Sequence, residues 1–543
     1  MNKRFRVVTA FLLSFSLVLS ACGGVQSGSG EDSGADKVQK LSMTIPGEPP
    51  TMDSAKATDV MSFDILNNVK EGLYRLDKDN KPEPAIASGV DISEDKKTYI
   101  FNLREAKWSD EEPVRAQDFE YAWKRALNPK TASEYANILF PVKNAEAYNS
   151  GDVSADKVGV EAVDEKTLKV ELEEPTSYFL SLTSFVTYMP QRKDIVEKHG
   201  KKYAQEVDKM VYNGPFDLSK WQHEQELNLK KSETYWDRNA VKLTDVTMNI
   251  VKDSSTGVNL YTSDQTDITE LDSALADAFK KSAEYTPVTQ SRNYFLQFNT
   301  KNEFLSNEKV RKAISYAIDR ETLIKEVLKN GSKPAYALVP PTIYSSDNKI
   351  FRKEGTKGHQ YNPSEAKRLL KEGMDELEFT EKPTLTLLSY DDHRKQAAVY
   401  IQEQLKINLG MDVKIDPQPM KQKIDREDNG DFVVTLAGWK ADYNDPMSFL
   451  EIFSSDHPIN VGFWENKKYD QLIEKSRGNS DYDKRSADMV GAEKIVLEEA
   501  ALAPIYYAGK AYLQKQYVKD VVRHPIGAEL SLKWAYLKGK GEK

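Results

Sequence analysis

The chain has 543 residues, of which 39% are hydrophobic and 30% charged, with a formal net charge of −9 and a single cysteine. At about 100–200 residues per domain, a chain of this length forms two to four domains. Its apolar fraction is sufficient for buried cores. One cysteine excludes internal disulfides and metal centres built from several thiolates, and an acidic chain without lysine or arginine clusters argues against a nucleic-acid-binding protein.

Residues 1–21 predict a secretory signal peptide, because a basic start is followed by an apolar stretch that is too short to span a bilayer. The residues LSAC at 19–22 resemble a bacterial lipoprotein signal, in which Cys22 is lipid-modified and becomes the mature N-terminus. The alternative is an ordinary signal peptide with an incidental cysteine. Residues 22–37 are rich in glycine, serine and acids, and predict a flexible tether. We therefore expect an extracytoplasmic protein, anchored by lipid to the outer face of the bacterial cell membrane.

Segments with the periodicity of strands and of helices follow the tether. Residues 99–103, 168–172 and 411–415 alternate between apolar and polar as half-buried strands do, and the nearly continuous apolar run at 431–439 predicts a strand buried on both faces. Helical spacing occurs at 119–126, with Asp118 placed to cap its start and Asn128-Pro129 to end it. Further helices are predicted at 308–318 and at 394–409, the latter ended by Gly410. The predicted fold class is α/β, or mixed α+β.

Sequence signatures of the common catalytic sites are missing. The chain has no GxSxG, Walker, GxGxxG or HExxH motif, and no two of its six histidines are spaced to share a helix face as metal ligands. Carboxylate pairs are plentiful, but sequence alone cannot select a general acid and base among them. The sequence thus identifies no catalytic residues and no helical metal pair, while a metal site assembled from distant histidines remains open.

The segment from Gly438 to Pro446 is the most informative part of the sequence. A buried strand runs directly into a tryptophan, two aspartates and a proline, so carboxylates are directed toward a cleft where an unpaired charge is costly. Asp445 is predicted to cap a helix beginning at Pro446. Asp442 has no such explanation, and its carboxylate needs a counter-charge.

Several short blocks occur in order along the chain. They are WS at 108–109, PVRAQDF at 113–119, YAWKR at 121–125, NGPF at 213–216 with Trp221, YWD at 235–237, VRKA at 310–313, IDR at 318–320, PAY at 334–336, VPP at 339–341 and APIY at 503–506. Together they resemble the peptide-binding lipoproteins of ABC importers, the oligopeptide- and dipeptide-binding branch of the solute-binding proteins. The resemblance extends over nearly all of the chain after the tether.

This resemblance implies a non-enzymatic receptor with a two-lobed periplasmic-binding-protein-like fold, a hinge and an extra domain. Peptides are enclosed between the lobes as an added strand and passed to the transmembrane subunits of an ABC permease. No cofactor is required, and the family implies a monomer. The implied boundaries are 38–72 with 190–292 and 507–543 for the core of lobe 1, 73–189 for its extra domain, and 293–506 for lobe 2.

The resemblance also assigns site residues. Asp442 matches the acidic residue that pairs with the peptide α-ammonium, which supplies the missing counter-charge. The other implied ligand-binding residues are Gly438 and Lys440 through their backbone on one side, Thr58 and Val60 on the other, Trp439, Tyr135 and Tyr507 as pocket walls, and His393 near the ligand carboxyl end.

Departures from the family pattern leave the ligand open. Leu436 stands where oligopeptide binders carry a basic residue for the peptide C-terminus, and Met420 replaces an aromatic residue. His393 has the alternative role of a structural residue at a helix start. Two other functions remain open: a receptor of the same fold for a signalling peptide, nickel or another small ligand, and, from a different class, a membrane-anchored hydrolase of peptides or cell wall.

Overall fold

The computed structural model describes residues 36–345, 349–353 and 357–540. The predicted signal peptide, Cys22 and residues 22–35 of the tether lie outside the described residues. The strands are β1 (Lys40–Ile45), β2 (Tyr74–Leu76), β3 (Pro82–Pro84), β4 (Ala87–Ile92), β5 (Thr98–Leu103), β6 (Val160–Ala162), β7 (Thr167–Glu171), β8 (Phe216–Gln222), β9 (Glu226–Lys231), β10 (Asp245–Ile250), β11 (Ile268–Leu271), β12 (Tyr285–Phe298), β13 (Lys333–Pro334), β14 (Leu385–Tyr390), β15 (Val413–Gln418), β16 (Val434–Lys440), β17 (Leu502–Gln514), β18 (Val518–Lys519), β19 (Val522–Arg523), β20 (Leu530–Ser531) and β21 (Tyr536–Leu537).

The α-helices alternate with these strands, which confirms the predicted mixed α/β class. They are α1 (Val60–Val69), α2 (Ala116–Leu127), α3 (Ala145–Ser150), α4 (Phe179–Leu182), α5 (Lys193–His199), α6 (Ser254–Thr262), α7 (Ser273–Phe279), α8 (Glu303–Ser306), α9 (Glu308–Tyr316), α10 (Arg320–Thr322), α11 (Pro363–Glu376), α12 (Lys395–Leu409), α13 (Met420–Asp428), α14 (Met447–Leu450), α15 (Lys467–Arg477) and α16 (Tyr482–Glu498).

One large mixed sheet runs through the described chain. Its strand order is β15-β14-β16-β12-β17-β11-β1-β10-β9-β8, and β13 pairs with β17 beside this path. A separate sheet, β4-β5-β7-β6, is covered by α2. Parallel pairs such as β1–β10 and β14–β15 lie beside antiparallel ones, as in a sheet whose faces are covered by helices.

Two long antiparallel strands, β12 and β17, lie in the middle of the large sheet. They separate β15, β14 and β16 on one side from β11, β1, β10, β9 and β8 on the other. The second half of β17 pairs with β11, whereas the second half of β12 pairs with β16. Their mutual register is irregular between Thr289 and Asn293 and again between Tyr294 and Phe295. Such irregularities bend and twist a strand pair locally, so the direction of the sheet changes at this point.

The local predictions hold with small corrections. Helix α2 ends at Leu127 before Asn128-Pro129 as predicted, but Asp118 is not the residue that precedes the helix. It lies inside the first turn, where its carboxylate accepts hydrogen bonds from the backbone N–H of Arg115 and the indole N–H of Trp108, both at 3.0 Å. Helix α12 ends at Gly410, whose φ of +62° permits the turn into β15 at low steric cost.

Candidate functional site

The site is built around the end of β16 and the loop that follows it. Residues Val434 to Ala437 are buried, and the strand becomes half-buried from Gly438 to Lys440 as it leaves the core. On one edge β16 pairs with β12 along its whole length, from Val434 to Lys440. On the other edge it pairs with β14 only at Val434 and Thr435.

Within the described chain, the β14-side edge of β16 therefore has no strand partner beyond Thr435. The backbone N–H and C=O groups on an open edge are a template for another extended segment. Gly438 and Lys440, which were predicted to pair with a ligand backbone, lie on this open stretch.

Asp442 lies in the loop that follows this stretch. Its backbone N–H donates to the Ser448 hydroxyl at 3.1 Å, which holds the loop in place. Its half-buried carboxylate accepts no hydrogen bond and forms no ion pair with any residue that the structure describes. Burial, reinforced by the negative charge of Glu451, raises the pKa of this carboxyl to about 6, although Lys440 opposes the shift.

Asp445, three residues later, has the opposite environment. Its carboxylate accepts the backbone N–H of Met447 at 2.9 Å, so it lies at the start of α14 as predicted, although this helix begins at Met447 and its cap position is Pro446. It also accepts two hydrogen bonds from the Arg485 guanidinium, at 2.7 and 2.9 Å, and both side chains are buried. The sequence prediction missed Arg485, because nothing in the pattern of α16 distinguishes this arginine from its exposed neighbours.

A small pocket lies beside the loop. Asp442 and Tyr443 form one wall, Phe185 and Val186 another, and the segment around His524 and Ile526 a third. The Tyr443 ring stacks on Tyr178 with centroids 4.1 Å apart. The loop therefore meets both the region of the four-stranded sheet and the C-terminal segment.

Tyr135 lies within the electrostatic range of Asp442. Its ring packs between Phe63 and Phe185, at centroid distances of 5.8 and 5.6 Å. Burial, together with the negative charge of Asp442, raises the pKa of the Tyr135 phenol to about 12, and Arg292 opposes the shift. Tyr135, Asp442 and Arg292 thus share one electrostatic environment.

Gly438, Trp439 and Lys440 take three different roles. The Tyr294 ring lies so close to Gly438 that a Cβ there would be 2.5 Å from the ring, so only glycine fits. The Trp439 indole donates to the Ser448 carbonyl at 2.7 Å. The Lys440 ammonium pairs with Glu529 at 2.9 Å and is not available to a ligand.

Tyr507 lies in the same cross-strand row as Trp439. Both residues are paired with Asn293, Trp439 on β16 and Tyr507 on β17. The buried Tyr507 hydroxyl donates to the carbonyl of Ala337 at 2.9 Å, so its polar end is satisfied by the chain. The Tyr507 side chain is therefore held in place by the chain itself.

Thr58, Val60 and His393 are the remaining predicted residues. Thr58 is exposed in a loop, and Val60 is the first residue of α1, so the extended segment on this side ends at Asp59. His393 occupies the turn before α12, with 70% of its side chain exposed and Nδ1 3.8 Å from Asp392. No hydrogen bond or ion pair in the described chain joins these three residues to Asp442.

The two departures from the family pattern have structural explanations. Leu436 is fully buried and lies opposite Leu296 in the core, so an arginine at this position would have its charge inside the protein. Met420 is 57% exposed at the start of α13. Neither side chain lies next to Asp442.

Two features are absent from the described residues. No group of three or more histidine, cysteine, aspartate or glutamate side chains is arranged to hold a metal ion. No helix in the described ranges has both the length and the apolar content needed to cross a bilayer.

Comparison with known proteins agrees with this architecture. The sequence model of the family "bacterial extracellular solute-binding proteins, family 5, middle" matches residues 81–460. The dipeptide-binding protein DppE of Bacillus subtilis is 38% identical over 530 residues, which cover 96% of this chain and 97% of DppE.

Solved structures add information on shape. OppA of Listeria monocytogenes bound to peptide is 37% identical, covers 92% of this chain and 99% of its own, and has a TM-score of 0.74. The unliganded open form of MppA, a periplasmic murein tripeptide-binding protein, is 29% identical, with coverage of 93% and 98%, yet has a TM-score of 0.80. The described chain is thus closer in shape to this open form than to that peptide complex.

Proposed function

The chain belongs to family 5 of the bacterial extracellular solute-binding proteins, and we propose that it captures short peptides outside the cytoplasm and delivers them to an ABC permease. The relatives named above are a dipeptide-binding, an oligopeptide-binding and a murein tripeptide-binding protein, so peptides of different lengths are the ligand class they share. The chain itself is a carrier and carries out no covalent chemistry.

The observation that carries this proposal is the unpartnered carboxylate of Asp442 beside the open edge of β16. An extended peptide on that edge would pair its backbone with residues 436–440 and bring its α-ammonium to Asp442. The ammonium supplies the counter-charge that no described residue gives to Asp442. A charge-assisted hydrogen bond to a half-buried carboxylate is strong. Backbone pairing is independent of side chains, so this arrangement accepts varied sequences.

A peptide enclosed between two lobes needs the lobes to separate for its entry and release. We place the hinge in β12 and β17, where the register irregularities lie, with lobe 1 formed by residues 38–72, 190–292 and 507–543 and lobe 2 by 293–506. Residues 73–189 form the extra domain of lobe 1. Rotation about two strands that both lobes share would bring Thr58 and Val60, on lobe 1, toward a peptide already held by lobe 2.

The location and state of the protein are part of the same proposal. A lipid on Cys22 and the tether at 22–37 would keep a monomeric receptor at the outer face of the cell membrane, close to the permease. His393 is assigned to the carboxyl end of longer peptides, because its exposed ring lies at the start of α12 beyond the Tyr390 end of β14.

Native mass spectrometry of the purified protein, followed by acid release and sequencing of what co-purifies, tests the ligand class. We expect a mixture of short peptides with free amino termini. A single defined non-peptide mass would overturn the ligand assignment. If the protein is empty, titration with short peptides decides, and failure to bind any of them would contradict the proposal.

A further inference from the structure

Three cationic side chains lie around one pair of tyrosines next to the open edge of β16. The rings of Tyr294 and Tyr390 meet edge to face with centroids 6.4 Å apart. The Arg394 guanidinium lies 3.4 Å, and the Lys423 ammonium 4.5 Å, from the centre of the Tyr390 ring. The third cation, Arg292, donates from Nη1 to the Tyr294 hydroxyl at 3.5 Å.

Two of these cations are neutralised by the chain itself. Arg394 donates to the Asp392 carboxylate, with Nε 2.9 Å from Oδ1. Lys423 forms an ion pair with Glu427. Arg292 is half-buried, and in the described part of the chain no carboxylate lies within ion-pair distance of it.

The position of Arg292 in the sheet makes this lack of a partner costly. Arg292 on β12 lies directly opposite Lys440 on β16, so two positive side chains face each other across the strands. Like charges in directly opposed positions destabilise a sheet. Lys440 is compensated by Glu529, and Arg292 is left without compensation.

Arg292 is also close to the proposed ammonium site. Strand pairing continues beyond Lys440, because the N–H of Ala441 donates to the carbonyl of Ser291 at 2.9 Å. Asp442 follows in the bend where this pairing ends, two residues after the partner of Arg292, and the charges of Asp442 and Arg292 both act on the Tyr135 phenol. The two side chains therefore belong to the same part of the cleft, which one or two residues of extended peptide, about 3–7 Å long, can bridge.

We propose that the Arg292 guanidinium binds a ligand carboxylate that lies within about two residues of the α-ammonium held by Asp442. This inference rests on the proposed peptide-binding function and narrows its ligands. The carboxylate has two possible sources: the C-terminus of a very short peptide, or an acidic side chain at the second position of a longer one. The site then has two opposite charges: the Asp442 carboxylate binds the amino end of the ligand, and the Arg292 guanidinium binds a carboxylate one or two residues away.

Arg292 would take the role that oligopeptide binders give to a basic residue at the position of Leu436. Leu436, Gly438 and Lys440 point to one face of β16, opposite Leu296, Tyr294 and Arg292 on β12. Along this face Leu436 lies in the core and Arg292 lies at the cleft end. A cation at 292 is therefore placed to reach the ligand nearer its amino terminus than a cation at 436 would be.

Isothermal titration of peptide-free protein with two matched ligand pairs tests the proposal. The first pair is Ala-Ala and Ala-Ala amide, and the second is Ala-Glu-Ala amide and Ala-Gln-Ala amide. We expect the wild type to prefer the acid in at least one pair by about 10- to 100-fold, as a charge-assisted hydrogen bond allows. The pair that shows the preference identifies the source of the carboxylate.

Variants then assign that preference to one residue. Arg292→Met should reduce it to within about twofold while the uncharged ligands still bind, which also shows that the variant is folded, and Arg292→Lys should keep part of it. Arg394→Met is the matched control, because this arginine already has a carboxylate partner, and it should keep the preference.

Three results would overturn the inference: no acid preference in either pair, an unchanged preference in Arg292→Met, or an equal loss in Arg394→Met. In each of these cases, peptide binding that still depends on Asp442 would leave the proposed function standing. If the wild type binds none of the four ligands and no other short peptide, the proposed function fails as well.

Discussion

Asp442 and Asp445 stand three residues apart in the loop after β16, and the protein treats them in opposite ways. Asp445 accepts two hydrogen bonds from Arg485 and one from a backbone N–H. Asp442 has none of these partners in the described chain, and its pKa is raised to about 6. The difference separates a carboxylate that holds the loop together from one that, in our proposal, pairs with the peptide ammonium.

Removing Asp445 should produce the largest change in stability. Asp445→Asn leaves the Arg485 guanidinium buried without a counter-charge, so we expect a loss of about 3–5 kcal/mol in the free energy of unfolding. Urea denaturation followed by circular dichroism measures it. Asp445→Asn combined with Arg485→Met should recover part of the loss, and full stability of the single variant would contradict the structural role of the pair.

Removing Asp442 should instead affect ligand binding. Asp442→Asn leaves the peptide ammonium without its counter-charge, and we expect a loss of about 3 kcal/mol or more, which is a hundredfold or more in affinity. Calorimetric titration with a short peptide measures the change. Equal affinities of wild type and variant would remove Asp442 from the site.

The same substitution should stabilise the ligand-free protein. The pKa of Asp442 is higher in the folded state than in the unfolded state. At low pH the carboxyl is protonated in both states and does not lower the free energy of unfolding. Its destabilising effect develops as pH rises from about 4 to about 6. Asp442→Asn should therefore be more stable than wild type by about 1–2 kcal/mol at pH 7.5 and show no gain near pH 4. Thermal unfolding at the two pH values checks this, and a destabilised variant at pH 7.5 would be the contrary result.

The pH dependence of binding is the smallest expected effect. The ammonium binds the ionised carboxylate, so protonation of Asp442 competes with the ligand below pH 6. Affinity should be constant from pH 7 to 8 and fall by about tenfold per pH unit below 6, a change of about 1.4 kcal/mol per unit. Titrations at pH 7.5, 6 and 5 measure the slope, and a slope that persists in Asp442→Asn would assign it to another group.

Much of the fold could be predicted because local rules agree with tertiary packing. The apolar run at 431–439 became β16, and the amphipathic stretch before Gly410 became α12, since periodicity and helix-end residues favour the same state there. Asp118 shows the limit of such rules. An acidic residue near a helix start can precede the helix or lie in its first turn, and only the Trp108 indole contact decides between these positions.

The candidate site could be predicted only in part. Asp442 was found because a carboxylate after a buried strand needs an explanation, and the family resemblance supplied one. Arg292 was missed because its significance is the absence of a partner, which depends on strand register and on Glu529 far along the chain pairing with Lys440. A cation inside an apolar strand, SRNYFLQF at 291–298, is the one weak signal that the sequence carried.

A double-mutant cycle tests whether Asp442 pairs with a free peptide amino terminus. Wild type and Asp442→Asn are each titrated with one short peptide and with its N-acetylated form, which lacks the positive charge. We expect acetylation to weaken binding to the wild type by about a hundredfold or more and to change binding to Asp442→Asn little. An equal effect of acetylation on both proteins would contradict the pairing of Asp442 with the ammonium.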